Sequence, residues 1–211
     1  MSSIKNIIFD FGGVVLNIDF QLTIDAFKKL GIKNPEELVT KFKQANTFIL
    51  LEKNEIGQKE FFNELKLYAD KFISDEELLL AWNALLLDIP KYRIFLLKNI
   101  KSNYRTFLLS NTNKIHYDKY LLDMQNEHGV KSFDDLFEKA YFSFDHGMVK
   151  PDKEFYQKVL SENNLNPSET IYIDDLEKNL LPAQELGMYV YHLKDEDDIV
   201  ELFDEEFTLL Q

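Results

Sequence analysis

Five short apolar runs set the limits on what this chain can become. Residues 4–9, 105–109, 140–144, 170–173 and 188–192 are rich in β-branched and aromatic side chains and too short for buried helices. Such near-continuous apolarity marks strands covered on both faces, the habit of parallel sheets. Between the later runs the apolar spacing turns helical. In 152–163 it falls at Phe155, Tyr156, Val159 and Leu160, with Pro151 as a first-turn residue. In 176–186 it ends at Gly187, a typical residue after a helix. Strands alternating with helices predict an α/β fold, a Rossmann-like three-layer core built on a parallel sheet.

Residues 20–88 break that rhythm. Helical patterns cover 22–30, 35–45, 59–72 and 75–87, punctuated by Gly31, Asn34, Gly57 and Ser74, and no strand is evident. The expectation is a four-helix insert after the first strand. Residues 1–19 and 89–211 then form the α/β core, and the helix over 90–100 leads into the second strand. Hydrophobic residues make up 45% of the chain, with only 7 Gly and 5 Pro, enough to fill both parts.

Charge narrows the partners. The net charge of −13 repels nucleic acid and works against small anions. A phosphate site would therefore need local positive charge from a metal, a lysine or oriented backbone amides. There are no cysteines, which excludes disulfides, zinc-thiolate centres and thiol catalysis. The apolar N-terminal stretch is too short for a signal or a span, and no 18-residue apolar window occurs, so a cytoplasmic chain without a membrane partner is expected. Oligomeric state has no readable signature. The acidic runs near the C-terminus read as a solvated surface.

The polar residues fall at the strand ends. Asp10 follows the first run, Ser110 and Asn111 the second, and Asp174 and Asp175 the fourth, while Lys150 precedes a predicted helix. In open parallel sheets ligands bind at the carboxyl ends of strands, so these residues can converge on one pocket. Taken singly, each has a plainer reading: Asp10 as a loop cap, Ser110-Asn111 as a turn, Lys150 as a surface lysine, Asp174-Asp175 as a helix start. The adjacent acids, however, repel each other unless a hard cation such as Mg²⁺ compensates them.

In this order FDFGGVV, LLSNTN, VKPD and IYIDDLEKN resemble the four signature motifs of the haloacid dehalogenase superfamily. The resemblance spans residues 4–192 and includes the insert, which matches that family's helical cap. The Gly12-Gly13 loop and LSNTNKIH most resemble the sugar-phosphate phosphatase branch that includes the bacterial α-glucose-1-phosphate phosphatase. The phosphatase domain of soluble epoxide hydrolase is a more distant relative.

The resemblance implies a Mg²⁺-dependent phosphatase acting on a small phosphorylated metabolite. Asp10 is the implied nucleophile, forming an aspartyl-phosphate. Asp10 and Asp175 would hold the metal by side chain and Gly12 by its carbonyl, with Asp174 behind them. Ser110 and Asn111 would bind phosphate, and Lys150 would neutralise the transferring group. Asn179 would orient the acid pair. The family usually places an acid–base Asp where this chain has Gly12. That leaves His116, Glu52, another insert residue or water to move the proton. A sugar 1-phosphate, with its comparatively acidic anomeric oxygen, would tolerate the glycine best. His116 and Trp82 read better as packing residues, and 51–57 reads either as the loop that closes on substrate or as a plain surface turn. Two other readings compete. A haloacid dehalogenase would use Asp10 without a metal and leave the acid pair unexplained. A non-catalytic binding protein would have no need of Asp10, Lys150 and both acids together.

Overall fold

The computed structural model describes residues 4–194 and 196–210. The chain enters with β1 (Asn6–Phe9) and passes through five helices. These are α1 (Phe20–Leu30), α2 (Pro35–Gln44), α3 (Thr47–Glu52), α4 (Gln58–Lys66) and α5 (Asp75–Asn83). It continues as α6 (Lys91–Asn99), β2 (Arg105–Ser110), α7 (Lys114–His128), β3 (Lys139–Phe142) and α8 (Ser143–His146). It finishes with α9 (Lys153–Glu162), β4 (Thr170–Asp174), α10 (Glu177–Glu185) and β5 (Tyr189–His192). The strands form one parallel sheet in the order β3-β2-β1-β4-β5. The chain leaves β1 toward β2 and leaves β4 in the opposite direction toward β5. The switch point therefore lies between the carboxyl ends of β1 and β4.

Period-two alternation separates the two faces of the sheet. Ile7, Phe9, Leu108 and Ile173 pack with Leu97, Phe133 and Phe137 on one side. Ile8, Phe107, Leu109 and Tyr172 pack with Phe155, Tyr156 and Val159 on the other. Each fully buried side chain of this size stabilises the fold by about 1.5–3 kcal/mol.

Helices α1–α5 surround a separate apolar cluster that includes Phe27, Phe42, Leu51, Phe61, Phe62, Leu78 and Trp82. Asp19 caps α1 by accepting from the Gln21 N–H, and Ser74 with Glu77 forms a capping box at α5. Trp82 lies edge-on to Phe61 at 4.7 Å and to His116 of α7 at 4.7 Å. With Ile115, which joins the same cluster, His116 ties the insert to the core. The strands entering and leaving the insert run side by side. The Asp19 N–H bonds the Leu85 carbonyl at 2.9 Å, and the Leu87 N–H bonds the Asn17 carbonyl at 3.0 Å. Arg93 braces this ribbon, donating to the Val15 carbonyl and to Asn17 while its guanidinium grips Asp198.

Four boundaries differ from expectation. The insert has a fifth helix, α3, where no separate helix is expected, so residues 51 and 52 close a helix instead of opening a loop. Helix α4 stops at Lys66 because the chain beyond it turns to pair with the end of α1, the Lys33 N–H bonding the Tyr68 carbonyl at 2.9 Å and the Asp70 N–H the Gly31 carbonyl at 3.1 Å; Leu67 and Phe72 are left 81% and 88% exposed. The third strand ends at Phe142 because the Ser143 hydroxyl turns to bond the Thr112 backbone, accepting from its N–H and donating to its carbonyl. Pro151 also lies outside the helix, which begins at Lys153. Among the described residues no helix is long and apolar enough to cross a membrane.

Trp82 is the only tryptophan and the hub of the insert's aromatic cluster. Trp82→Ala should cost about 3–5 kcal/mol through the cavity it leaves. Urea denaturation followed by circular dichroism measures this; a loss below about 1 kcal/mol would show that the cluster is not what holds the insert.

Candidate active site

Asp10 leaves the end of β1, and its N–H bonds the Ile173 carbonyl of β4 at 2.9 Å, so it sits on the switch point. Its Oδ1 accepts from the Phe11 N–H at 2.6 Å and lies 2.8 Å from the Lys150 Nζ. Both contacts use the same oxygen, Oδ1. Lys150, 3% exposed, also reaches Asp174 Oδ2 at 2.8 Å. One ammonium thus bridges carboxylates from β1 and β4.

Asp174 is fully buried and heavily bonded. Its Oδ1 accepts from the Leu176 N–H at 2.8 Å and from Asn179 Nδ2 at 3.0 Å. Its Oδ2 accepts from Lys150, from Asn179 Nδ2 and from the Tyr172 hydroxyl. The Tyr156 hydroxyl in turn donates to the Asn179 carbonyl at 2.8 Å. Asn179 thus holds Asp174, the first acid of the pair, by both carboxylate oxygens. Tyr172 was not singled out from sequence, yet strand periodicity carries the signal: two residues before Asp174, it lies on the same face.

Three carboxylates crowd one corner. Ligand oxygens of Asp10, Asp174 and Asp175 lie within 4.8 Å of one another. Lys150 is the cation shared by Asp10 and Asp174. Burial pushes the Asp10 carboxyl well above the usual carboxylate range; Lys150 pulls it back, and Asp174 and Asp175 push it further. Burial also acts to raise Asp174, but Lys150 and the bonds from Tyr172 and Leu176 hold it below the usual range. Lys150 loses solvation, yet Asp10 and Asp174 keep its pKa raised and its charge in place. An all-oxygen acidic cluster suits a hard divalent cation such as Mg²⁺. Asp174 has both oxygens committed, which leaves Asp10 and Asp175 as the better side-chain donors.

Backbone freedom is needed at one glycine. Gly13 has φ +81°, and a Cβ there would lie 2.5 Å from Asp175 Oδ2. Gly12 is less constrained; a Cβ there would meet Ile18 Cδ1 at 3.4 Å. Ser110 is buried at the end of β2. Asn111 turns its side chain onto the backbone of Lys150, donating to its carbonyl at 2.9 Å and accepting from its N–H at 2.8 Å. Its amide therefore positions the lysine, a role not expected from sequence.

Of the residues expected to move a proton, His116 is buried in the seam with the insert. Burial lowers its pKa to about 3, so its ring is neutral and packs against Trp82. Glu52 ends α3, half-buried. Burial pushes its carboxyl up to about 7, against the pull of Lys150 and Lys178.

Residues 4–187 match the haloacid dehalogenase-like hydrolase family. A D-ribitol-5-phosphate phosphatase from Bacteroides thetaiotaomicron is 30% identical over 89% of this chain and 91% of its own. A HAD family enzyme from the same organism, solved with magnesium and inorganic phosphate, superposes with a TM-score of 0.86. It is 38% identical, over 96% of this chain and all of that one. An L-2-haloacid dehalogenase shares the fold at a TM-score of 0.60 but only 17% identity, over 99% of this chain and 89% of its own.

The neutral, buried His116 makes stability depend on pH. Its folded pKa of about 3 lies below its ordinary value of 6.5, so the unfolded chain binds the proton more readily. This contribution is complete above about pH 6.5 and is lost as pH falls toward 3. From pH 7 to pH 5 the group should cost about 2 kcal/mol. In His116→Phe, unfolding free energy should fall less steeply over that interval; parallel slopes in the two proteins would refute the assignment.

Proposed function

The chain belongs to the haloacid dehalogenase-like hydrolase family, and we propose that it is a Mg²⁺-dependent phosphatase of small phosphorylated metabolites. The observation that carries this reading is Lys150 bridging Asp10 and Asp174 at 2.8 Å each, with Asp175 alongside. A dehalogenase has little use for such an acid cluster. Residues 20–88 act in this reading as the cap that shelters the cleft.

Asp10 attacks phosphorus through the carboxylate oxygen that Lys150 does not hold. The ester P–O bond breaks, and an aspartyl-phosphate remains. Water then attacks that phosphorus and releases phosphate and free Asp10. Lys150 offsets charge on the transferring group and keeps Asp10 oriented. Ser110 offers its hydroxyl to phosphate oxygens; Asn111, its amide committed to Lys150, offers its backbone N–H. Asp10, Asp175 and the Gly12 carbonyl would hold Mg²⁺, with Asp174 fixing the lysine behind them. Bound there, the metal supplies Lewis-acid stabilisation of the negative phosphoryl oxygens.

The substrate class is a sugar or sugar-alcohol phosphate. The relative that supports it is named for a sugar-alcohol 5-phosphate, an ester of a primary alcohol. A sugar 1-phosphate, with its better leaving group, is the second candidate. Ribitol 5-phosphate, glucose 1-phosphate and glucose 6-phosphate assayed side by side, with Mg²⁺ and with chelator, rank them. Full turnover in chelator would overturn the metal-dependent reading.

Two variant sets test the roles. Asp10→Asn should abolish phosphate release while leaving the melting temperature within a few degrees of the parent. Asp175→Asn should weaken Mg²⁺ binding at least tenfold with the fold intact. Asp174→Asn should instead destabilise the fold by several kcal/mol, because it strips a buried lysine of a partner. Calorimetric Mg²⁺ titration and thermal melts separate these; equal metal affinities for the two aspartate variants would reverse the assignment.

A further inference from the structure

An alkyl phosphate expels an alkoxide, a poor leaving group that needs a proton as the P–O bond breaks. The position two residues after Asp10 is Gly12, which has none to give, and Ile18 lies beside it. The other groups around the cleft are equally unsuited. Asp174 is held ionised by its donors. Lys150 is locked as an ammonium between two carboxylates. Burial raises the Tyr172 phenol well above its usual range. His116 is neutral and packed against Trp82.

Glu52 remains. It is the last residue of α3, and both chain neighbours are anchored. Leu51 is buried in the insert's apolar cluster, and Lys53 reaches Asp152, two residues past Lys150, at 3.9 Å. Helix α3 packs on α8, beside the Ser143–Thr112 bonds that close the end of β2. The end of α3 is thereby held at the strand-end side of the core, where the charges of Lys150 and of Lys178, at the start of α10, both act on Glu52. Its carboxyl belongs to the insert, whereas Asp10 belongs to the sheet.

We propose that Glu52 is the general acid that protonates the leaving-group oxygen, and then the general base for the water that releases phosphate. This rests on the phosphatase reading above. In the first step Asp10 forms its bond to phosphorus, the P–O electron pair goes to the ester oxygen, and the Glu52 proton passes to that oxygen to give the alcohol. In the second, the Glu52 carboxylate takes a proton from water as its oxygen bonds phosphorus. The Asp10–phosphorus bond breaks, and Glu52 is again protonated. Its carboxyl titrates near neutral pH, at about 7, so both forms are accessible there. Lys150 and Lys178 are the charges that act on it. Among the elements packed against α3, α8 carries Asp145 and His146, and beside Glu52 in the chain Lys53 is paired with Asp152.

The test compares Glu52→Gln with the parent on two esters at saturating Mg²⁺. One is the alkyl phosphate the parent turns over best; the other is p-nitrophenyl phosphate, whose leaving group departs unprotonated. The variant should lose roughly 10²-fold or more in kcat on the alkyl ester and far less in formation of the aspartyl-phosphate from the activated one. The amplitude and rate of the p-nitrophenolate burst report the first step, and steady-state phosphate release reports the second. The fall in alkyl-ester rate as pH rises through about 7 should vanish in Glu52→Gln and return, shifted, in Glu52→Asp. Equal losses on both esters in the step that forms the aspartyl-phosphate, or a pH profile unchanged in Glu52→Gln, would overturn the proposal. The activated ester in the same preparation reports that the protein is folded. No turnover of either ester by the parent would instead sink the phosphatase reading itself.

Discussion

The rest of the site depends on one buried ammonium. Lys150 lies between Asp10 and Asp174, 2.8 Å from each, with almost no exposure. Removing three such charges from water costs several kcal/mol apiece unless they are paired and further bonded. The structure meets that cost in layers. Asn111 clamps the Lys150 backbone from β2, while Asn179, Tyr172 and the Leu176 N–H fill the valences of Asp174. The partners come from the end of β2, from β4 and from the start of α10. The arrangement can therefore exist only where β1, β2 and β4 run parallel and end together. The sheet order and the chemistry are in that sense one constraint.

The same electrostatics explain how an acidic chain can handle an anion. With a net charge of −13, the molecular surface gives phosphate no general attraction. Attraction must be local, and the cluster of Asp10, Asp174 and Asp175 beside Lys150 is a place where a bound cation would supply it. A site built on three carboxylates is selective by construction: it disfavours free phosphate esters until the metal is in place.

Much of this was legible in the sequence because strands buried on both faces leave a continuous apolar trace, and a polar residue ending such a trace stands out. Asp10, Ser110, Asp174 and Asp175 could be placed at strand ends for that reason. The role of Asn111 could not, since sequence gives residue type but not the direction of an amide, and its side chain turns to Lys150 instead of the cleft. Tyr172 was hidden because an aromatic residue inside a strand reads as core, and its ring is indeed core; only its hydroxyl reaches Asp174. In the insert the helical period was visible, but its ends were not. Leu67 and Phe72 continue the apolar pattern past Lys66 although they face solvent, so composition overran the true end of α4. Helix α3, at six residues, is too short for periodicity to reveal.

Glu52 shows why such a short helix matters. Burial is the largest cause of its raised pKa, and that burial comes from the insert lying against the core. Exposed to water, the same carboxyl would titrate near ~4.3 and be ionised at neutral pH. Its capacity to hold a proton near pH 7 is thus a property of the assembled cleft rather than of α3 alone. The ribbon that joins the insert to the core, braced by Arg93, and the contact between Trp82 and His116 both maintain that assembly. A carboxyl carried beside Asp10 on the rigid end of β1 would have its proton affinity set by the fixed charges of the sheet. Carried on the insert, it becomes a proton donor only where water is excluded. Proton supply is then tied to the same enclosure that protects an aspartyl-phosphate from premature hydrolysis.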